Sequence, residues 1–540
     1  MANQTLFAAP RYNTPATDTV NHVGGVAYKH TADHALAQFA FTGCFNSTFY
    51  TSAQSQLDDV KRLAYEVTPL RLAKIAVVSR TKGFMKDMPA YLTAVLYLRD
   101  IDLWKKVFPR VIDNGKMLRN YAQIARSGAA GKAINLSSSA HRQMINRWFN
   151  TRRSETLFND SVGTSPSLVG VLRQAHVKPE TKEKEALLKY LFNNEFKWNH
   201  IQAIREGGTL GSTTEDLPSL VKHYEAFKRD KNGDIGVPAV DFRYLDSLGL
   251  STEHWVEVFR NAPWHFTRMN LNTAVRHGVL NSPEMVEVIA DRLRDVDAIH
   301  RSRVFPYQLF TAFLATRNSV PHAIGEALQD AVEISLDNVP SLGNLVIAVD
   351  VSGSMGNAVT GDRGVGATSV IRNIDVAALI ASALIRKNRS ARVIPFANGV
   401  KPVTLNSRDS IMTNAAVLTK LLGGGTNCSA PLALLNLEGY KADTVLFLSD
   451  NESWVDSSNY YNRGNGTRMH EEWLRYKKHN PAARLISVDI SPNTTAQVKE
   501  RPDILTVAGF SDNVFDVMAA FARGGNASDF WLNEIDKVEI

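Results

Sequence analysis

The sequence predicts a chain of two fold classes. Residues 1–340 read as an all-α array of HEAT-like stacked helix pairs, and residues 341–540 as a doubly wound parallel α/β domain. Three observations carry this. From about residue 30 to 335, apolar residues recur at three- and four-residue intervals, the helical period. From about 340, short and almost continuously apolar segments alternate with a helical one, as strands covered on both faces do. And 540 residues exceed what a single core can serve.

In chain order, the helical segments include ADHALAQFAF, RLAKIAVVSR, MPAYLTAVLYLRDI, KEALLKYLF and LPSLVKHYEAFKR. Breaks rich in Gly, Pro, Asn and Ser separate them, as in DNGK, VKPE and EGGTLGSTTEDLP. Many short helices in succession suggest a solenoid, although no strict repeat period is visible. Residues 336–344, LDNVPSLGN, form the joint. Beyond it, NLVIAVD, ARVIPFA, DTVLFLSD and ARLISVDI read as strands, and NIDVAALIASALIRKN as a helix with basic residues at its C-terminal end.

Composition excludes several classes. Apolar content of 44% and charged content of 21% are those of a globular protein. MANQTLFAAPRYNTP lacks an apolar export segment, and no run approaches the roughly 18 apolar residues that a membrane span needs. A cytoplasmic protein is expected. Two cysteines, Cys44 and Cys428, lie far apart and suit a reduced setting. The net charge of +7 is unevenly placed: residues 341–540 hold 20 basic and 20 acidic residues, whereas residues 61–180 hold 21 and 8. One region is built to meet polyanions.

The first predicted strand ends in DVSGSMG, and ligands of doubly wound sheets gather beyond the carboxyl ends of strands. Asp350, Ser352 and Ser354 can face one point from an extended loop, with Gly353 and Gly356 permitting a tight path. GGGTNCSAP offers Thr426, and VLFLSDNES ends a strand at Asp450. Carboxylates plus neutral hydroxyls suit Mg²⁺ or another hard divalent cation better than zinc. The five residues resemble the metal-ion-dependent adhesion site of von Willebrand factor A domains, in which a partner's carboxylate completes the coordination. No phosphate-binding loop, dinucleotide fingerprint or evident general base accompanies them, and His470 and His479 are expected on the solvated face of a helix. The chain is therefore read as a non-enzyme.

In the basic region, Arg80, Lys82 and Lys86 flank a glycine loop. Lys116, Arg119, Arg126 and Lys132 continue the surplus, and His141, Arg142, Arg147, Arg152 and Arg153 crowd a stretch that also holds Trp148 and Phe149. Basic side chains neutralise phosphates without reading sequence, and aromatic rings can stack single-stranded bases.

This order of parts is similar to the Ro autoantigen family of TROVE-domain RNA-binding proteins, of bacterial type. The segments that carry the resemblance are NHVGGVAYK, FAFTGCFNSTFY, HRQMINRWFN, LRQAHVKP, VFPYQLFTAF, DVSGSMG, GGGTNCSAP and LSDNES. The resemblance implies a helical ring closed by the A domain, with Y RNA-like small RNAs on its outer basic surface. It further implies that single-stranded 3′ ends of misfolded RNAs enter a central hole, in RNA quality control and ribonucleoprotein assembly. An exoribonuclease partner, a monomeric state and no membrane or DNA specificity follow from the same likeness. It places His176, with Arg173 beside it, against the RNA; where the family has basic residues upstream of that histidine, this chain has Gly163 and Asn159. The rival expectation is a protein-interaction scaffold whose A domain grips an acidic partner.

Overall fold

The structure, a computed structural model, describes residues 14–43, 45–163, 165–196, 210–302, 304, 306–336, 339–361, 371–457, 466–491, 493–509, 512–524 and 530–540. Cys44 and part of the 336–344 joint fall outside them, while Cys428 carries a buried free thiol. A short antiparallel hairpin, β1 (Thr19–Val20) and β2 (Val26–Lys29), precedes the helices.

The first part of the array is α1 (Ala32–Thr42), α2 (Ala53–Glu66), α3 (Pro69–Thr81), α4 (Asp87–Arg99) and α5 (Ile101–Val111). It continues with α6 (Gly115–Ser127), α7 (Ser139–Asn150), α8 (Ser154–Ser161), α9 (Leu168–Gln174) and α10 (Lys182–Phe196). Side chains of Thr31, Ser52, Thr68, Asp100, Asn114, Ser138 and Ser167 cap seven of these by accepting from backbone N–H groups of the first turn. Those caps are why the breaks fall where small polar residues interrupt the apolar period. The second part is α11 (Ser219–Arg229), α12 (Phe242–Asp246), α13 (Thr252–Asn261), α14 (Trp264–Met269) and α15 (Leu271–Arg276). It ends with α16 (Pro283–Arg294), α17 (Val296–Ser302), α18 (Pro306–Thr316) and α19 (His322–Ser335).

The second domain is a five-stranded, all-parallel sheet in the order β4-β3-β5-β6-β8. Its strands are β3 (Leu345–Asp350), β4 (Arg392–Phe396), β5 (Thr444–Ser449), β6 (Arg484–Asp489) and β8 (Ile504–Ala508), with a two-residue β7 (Thr495–Ala496) outside the sheet. The helices are α20 (Asn373–Lys387), α21 (Ile411–Thr419), α22 (Ala430–Glu438), α23 (Arg468–His479), α24 (Asp512–Ala522) and α25 (Phe530–Asp536). The four strands expected from sequence are present, and β8 is a fifth. Its run ILTVA is short and carries Thr506, which the sheet buries completely. His470, expected in solvent, is buried at the interface, where Tyr28 of the hairpin packs edge-on against it at 5.5 Å; only His479 is exposed.

Neighbouring helices pack in series, and both ends of the series meet the second domain. At one end α18 and α19 lie on α20 and α21; at the other α1 and α3 lie on β8 and α25. The array is thereby closed into a ring of contacts. The hairpin adds a strand pairing across the same seam, with Tyr28 opposite Ala496 and Lys29 opposite Thr495. One apolar core runs from the helices through Leu345, Ile347 and Val349 of the sheet, while Val346, Ala348 and Phe447 on its other face join Trp473 and Tyr476 of α23. No described helix is long and apolar enough to cross a membrane.

The C-terminal helix locks the seam. Arg71 of α3 pairs with Asp536 at 2.9 Å and Asp33 at 3.1 Å, and Trp531 sits 1% exposed with His34 and Phe41 edge-on at 5.3 and 5.4 Å. Replacing Trp531 by Ala should cost about 3–5 kcal/mol, the range for truncating a buried aromatic. Chemical denaturation followed by intrinsic fluorescence measures it, and a loss below about 1 kcal/mol would mean that α25 does not hold the seam.

Candidate metal centre and nucleic-acid interface

The loops that carry the five candidate residues lie side by side at the carboxyl ends of the strands. Asp350 ends β3, and its carboxylate accepts from the Ser352 backbone N–H at 2.8 Å and from the Ser449 hydroxyl at 2.6 Å. Ser352 and Ser354 place their hydroxyls 3.2 Å apart. The loop is stitched to the Thr426 loop by Gly353 N–H to the Gly424 carbonyl at 2.9 Å and Gly423 N–H to the Val351 carbonyl at 2.8 Å. Gly424 has φ +100°, a conformation that glycine adopts without strain. The Thr426 carbonyl accepts from the backbone of Trp454 and Val455, just beyond Asp450. All five side chains are buried, none more than 5% exposed.

Burial raises both Asp350 and Asp450 above the ordinary carboxylate range, and the charge of Asp350 raises Asp450 as well. The nearby cation, Lys401, is held on the carbonyls of Leu421 and Gly423 at 2.6 and 2.8 Å instead of on the carboxylates. Two buried carboxylates ringed by neutral hydroxyls are a donor set of hard oxygens that fits a divalent ion. Among the described residues no group of three or more His, Cys, Asp or Glu offers another centre.

A strap from the helical part covers this face. Tyr50 lines one cavity with Ser354 and Asp450, and burial together with the charge of Asp450 keeps the phenol protonated. His22 donates its backbone N–H to Glu452 at 3.0 Å and pairs its ring with the same carboxylate at 2.5 Å; Asn21 donates to the Ser453 carbonyl at 2.6 Å. Asn46 donates to the Thr360 carbonyl at 2.7 Å. What remains between Tyr50, Thr48, Ser354, Asn373 and Asp450 is a cavity of about 10 Å³, room for one water-sized centre. Nothing in the spacing of STFY pointed to this, because the contact joins residues some 300 positions apart.

The basic residues divide between the two ends of α6, α7 and α9, roughly 10–15 Å apart along the helix axes. At one end, Arg126, Lys132, Arg142, Arg173 and His176 are exposed. Arg126 bonds Gln174, whose carbonyl also accepts from Ser137 at 2.7 Å, so the ends of α6 and α9 are fixed together. His176 takes φ +50° where the chain turns out of α9. Arg147 and Arg153 are exposed on and just after α7. At the other end, Arg80 is spent on a bidentate pair with Asp113 at 2.7 and 2.8 Å, while Lys82, Lys86 and Lys116 are exposed. Arg119 donates to the Val162 carbonyl at 3.2 Å.

Three expectations change. His141 is fully buried, bonded to Tyr121 at 2.7 Å and Ser138 at 2.9 Å and packed between Tyr97 and Trp104; it is a core residue and cannot touch RNA. Trp148 and Phe149 are also core, with the indole N–H on the Ile112 carbonyl at 2.8 Å, so neither is free to stack a base. Arg152 lies over the Trp148 ring at 3.8 Å, donates to two carbonyls and is lowered to about 10 by burial, which makes it a brace. Arg243, His265 and Arg268 lie outside the charge-rich stretch; Arg243 pairs with Asp241 at 2.8 and 2.9 Å, and Arg268 donates to the Gln308 carbonyl at 3.2 Å. A Cβ on Gly163 would lie 2.0 Å from an Arg119 nitrogen and 3.2 Å from one of Arg243, so two guanidinium groups flank the position that lacks a basic side chain. Burial, Arg268 and Lys86 together lower His265, which places α14 near the start of α4.

Residues 344–522 match the family model of the Ro60 vWA domain. Over 96% of its length the chain is 24% identical to the RNA-binding protein RO60 of Deinococcus radiodurans, covering 99% of that protein. Over 44% of its length it is 22% identical to the RNA-binding protein RO60 of Caenorhabditis elegans, covering 38% of that one. The crystal structure of the Ro (RSR) protein of D. radiodurans superposes on 92% of the chain with a TM-score of 0.57 at 19% identity, covering all of that chain.

The burial of His141 has a consequence for acid stability. Burial lowers its pKa from 6.5 to about 4, so the unfolded chain takes up a proton that the folded chain refuses. Stability is then intact above about pH 6.5 and declines as pH falls toward about 4, on the order of 3 kcal/mol over the interval. His30 and His470, also lowered by burial, act in the same direction. Urea unfolding of wild type and His141→Gln at pH 7 and pH 5 should show the smaller acid loss in the variant; equal losses would mean that the imidazole is not shielded.

Proposed function

We propose that this chain, a helical ring closed by a Ro60-type von Willebrand factor A domain and similar along its length to Ro proteins, is an RNA-binding protein. The observation that carries the reading is the exposed cationic edge of Arg126, Lys132, Arg142, Arg147, Arg173 and His176. It lies in residues 61–180, which hold 21 basic and 8 acidic residues. Such an edge binds phosphates of a folded RNA largely without regard to sequence. The relatives named RNA-binding proteins support the same reading.

The finer proposal is that this edge receives a structured, Y RNA-like small RNA. The second group, Lys82, Lys86, Lys116, Arg119 and Arg243, then serves single-stranded RNA ends. The protein acts in the cytoplasm by binding and presenting RNA, with an exoribonuclease as the chemistry-bearing partner. Mg²⁺ would be held by Asp350, Ser352, Ser354, Thr426 and Asp450, where it supplies an electrophilic centre for an oxygen ligand. The rival reading, a scaffold that grips an acidic partner through this metal, is disfavoured by the strap that lies across the site.

Gel-shift titration with a stem-loop RNA at two salt concentrations tests the proposal. Reversing Arg142, Arg147 and Arg173 to Glu should weaken binding at least tenfold and reduce the salt slope by about two to three. Reversing the exposed Lys387, Arg408 and Lys420 of the A domain should leave both nearly unchanged. Equal weakening by the two triples would remove the assigned surface, and no RNA binding by wild type would remove the function.

A further inference from the structure

The A domain's metal face and the helical ring meet at a place that neither the RNA reading nor the resemblance addresses. An adhesion-type site needs an open coordination position for a carboxylate from outside. Here that face looks onto Tyr50, with Thr48 and Thr51 beside it, and the remaining space holds one water-sized centre. The strap is anchored on both sides: Asn46 to the Thr360 carbonyl before it, and Ser52 as the N-cap of α2 after it. His22 stacks on Tyr50 with ring centroids 6.1 Å apart and carries Glu452 on its other side. Phe49 turns outward, 61% exposed, so the strap presents its polar ring inward and its apolar one to solvent.

We propose that the metal site is an intramolecular clasp: Tyr50 closes the ion's coordination face from the helical part, and the bound ion holds the first helices of the ring against the A domain. The inference rests on the metal reading above. The neutral phenol belongs to the same class of hard oxygen as the Ser352, Ser354 and Thr426 hydroxyls, and it adds no charge to a site that already holds two carboxylates. The placement also gives the clasp leverage. The far end of the array is joined covalently to β3 through the 336–344 joint, so the seam at α1, the hairpin and the strap is where the ring can part without breaking the chain. An ion shared across that seam strengthens it, and its removal loosens the strap first, because the strap has few apolar anchors of its own.

The test uses the full-length protein, Mn²⁺ as probe, and two readouts: Mn²⁺ affinity by electron paramagnetic resonance, and hydrogen exchange of the 45–61 segment with Mn²⁺ or with chelator. Wild type should bind one Mn²⁺ and protect the segment. Tyr50→Phe, which keeps the ring and its packing, should bind about tenfold more weakly, the usual effect of removing a supporting group at a metal, and lose the protection. Free acetate should raise Mn²⁺ affinity in Tyr50→Phe and not in wild type. Equal affinity and equal protection in the two proteins would overturn the clasp while leaving the metal site in place, as would an acetate effect as large in wild type. Failure of wild type to bind Mn²⁺ would overturn the metal reading and the clasp with it.

Discussion

Helix α1 has no solvent face along most of its length: every residue from His34 to Thr42 is buried. A helix apolar on all sides must be enclosed, and here the enclosure is shared. One side packs on α2 and α3, the other on β8 and α25 of the A domain. Across the seam the Gln38 side-chain amide donates to Asp489 at 2.8 Å and the His34 ring lies 2.7 Å from a Glu500 oxygen, while the Gln38 side-chain oxygen is buried without a partner among the described residues. The two parts therefore cannot separate at this point without exposing a whole helix and stranding buried polar groups. Closure of the ring is a consequence of where α1 finds cover.

Given that seam, the placement of charge follows. The parallel sheet directs its strand ends to one edge, which concentrates Asp350 and Asp450 in a buried pocket where either protonation or a cation relieves their repulsion. The helical ring does the opposite with its cations. The ends of α6 and α9 meet at the start of α7, where Arg126 bonds Gln174 and Ser137 donates to the Gln174 carbonyl, so residues there form an edge. Asp113 pairs with Arg80 and Glu155 lies near Arg153, while the side chains of Arg142, Arg147 and Arg173 are exposed. A neutral A domain beside a cationic edge is a division of labour between holding the ring together and meeting a polyanion.

The buried cluster of carboxylates and hydroxyls was legible in the sequence, because each of its residues sits at the end of a strand or in a Gly-rich loop whose position the topology dictates. The fold class was legible for the same reason: periodicity reports directly on which faces are buried. The exposed basic residues were legible as a set and not one by one. His141, Trp148 and Phe149 belong to the helix face that carries the period, and a charged or aromatic residue on that face packs inward whatever its chemistry suggests. Arg243 and His265 were invisible because they join the cationic group only through folding.

What the sequence alone determined is local: helix and strand periods, the caps at Thr31, Ser52 and Ser138, the strand-end aspartates and the surplus of lysine and arginine in one stretch. Each depends on residues within a few positions of one another. What only the tertiary structure decided is every relation across long separations. The hairpin pairs with β7, Trp531 fills the space between α1 and α3, and Tyr50 lies over Asp450. Those contacts arise from shape complementarity between surfaces far apart in the chain, and no short-range pattern encodes which surfaces will meet.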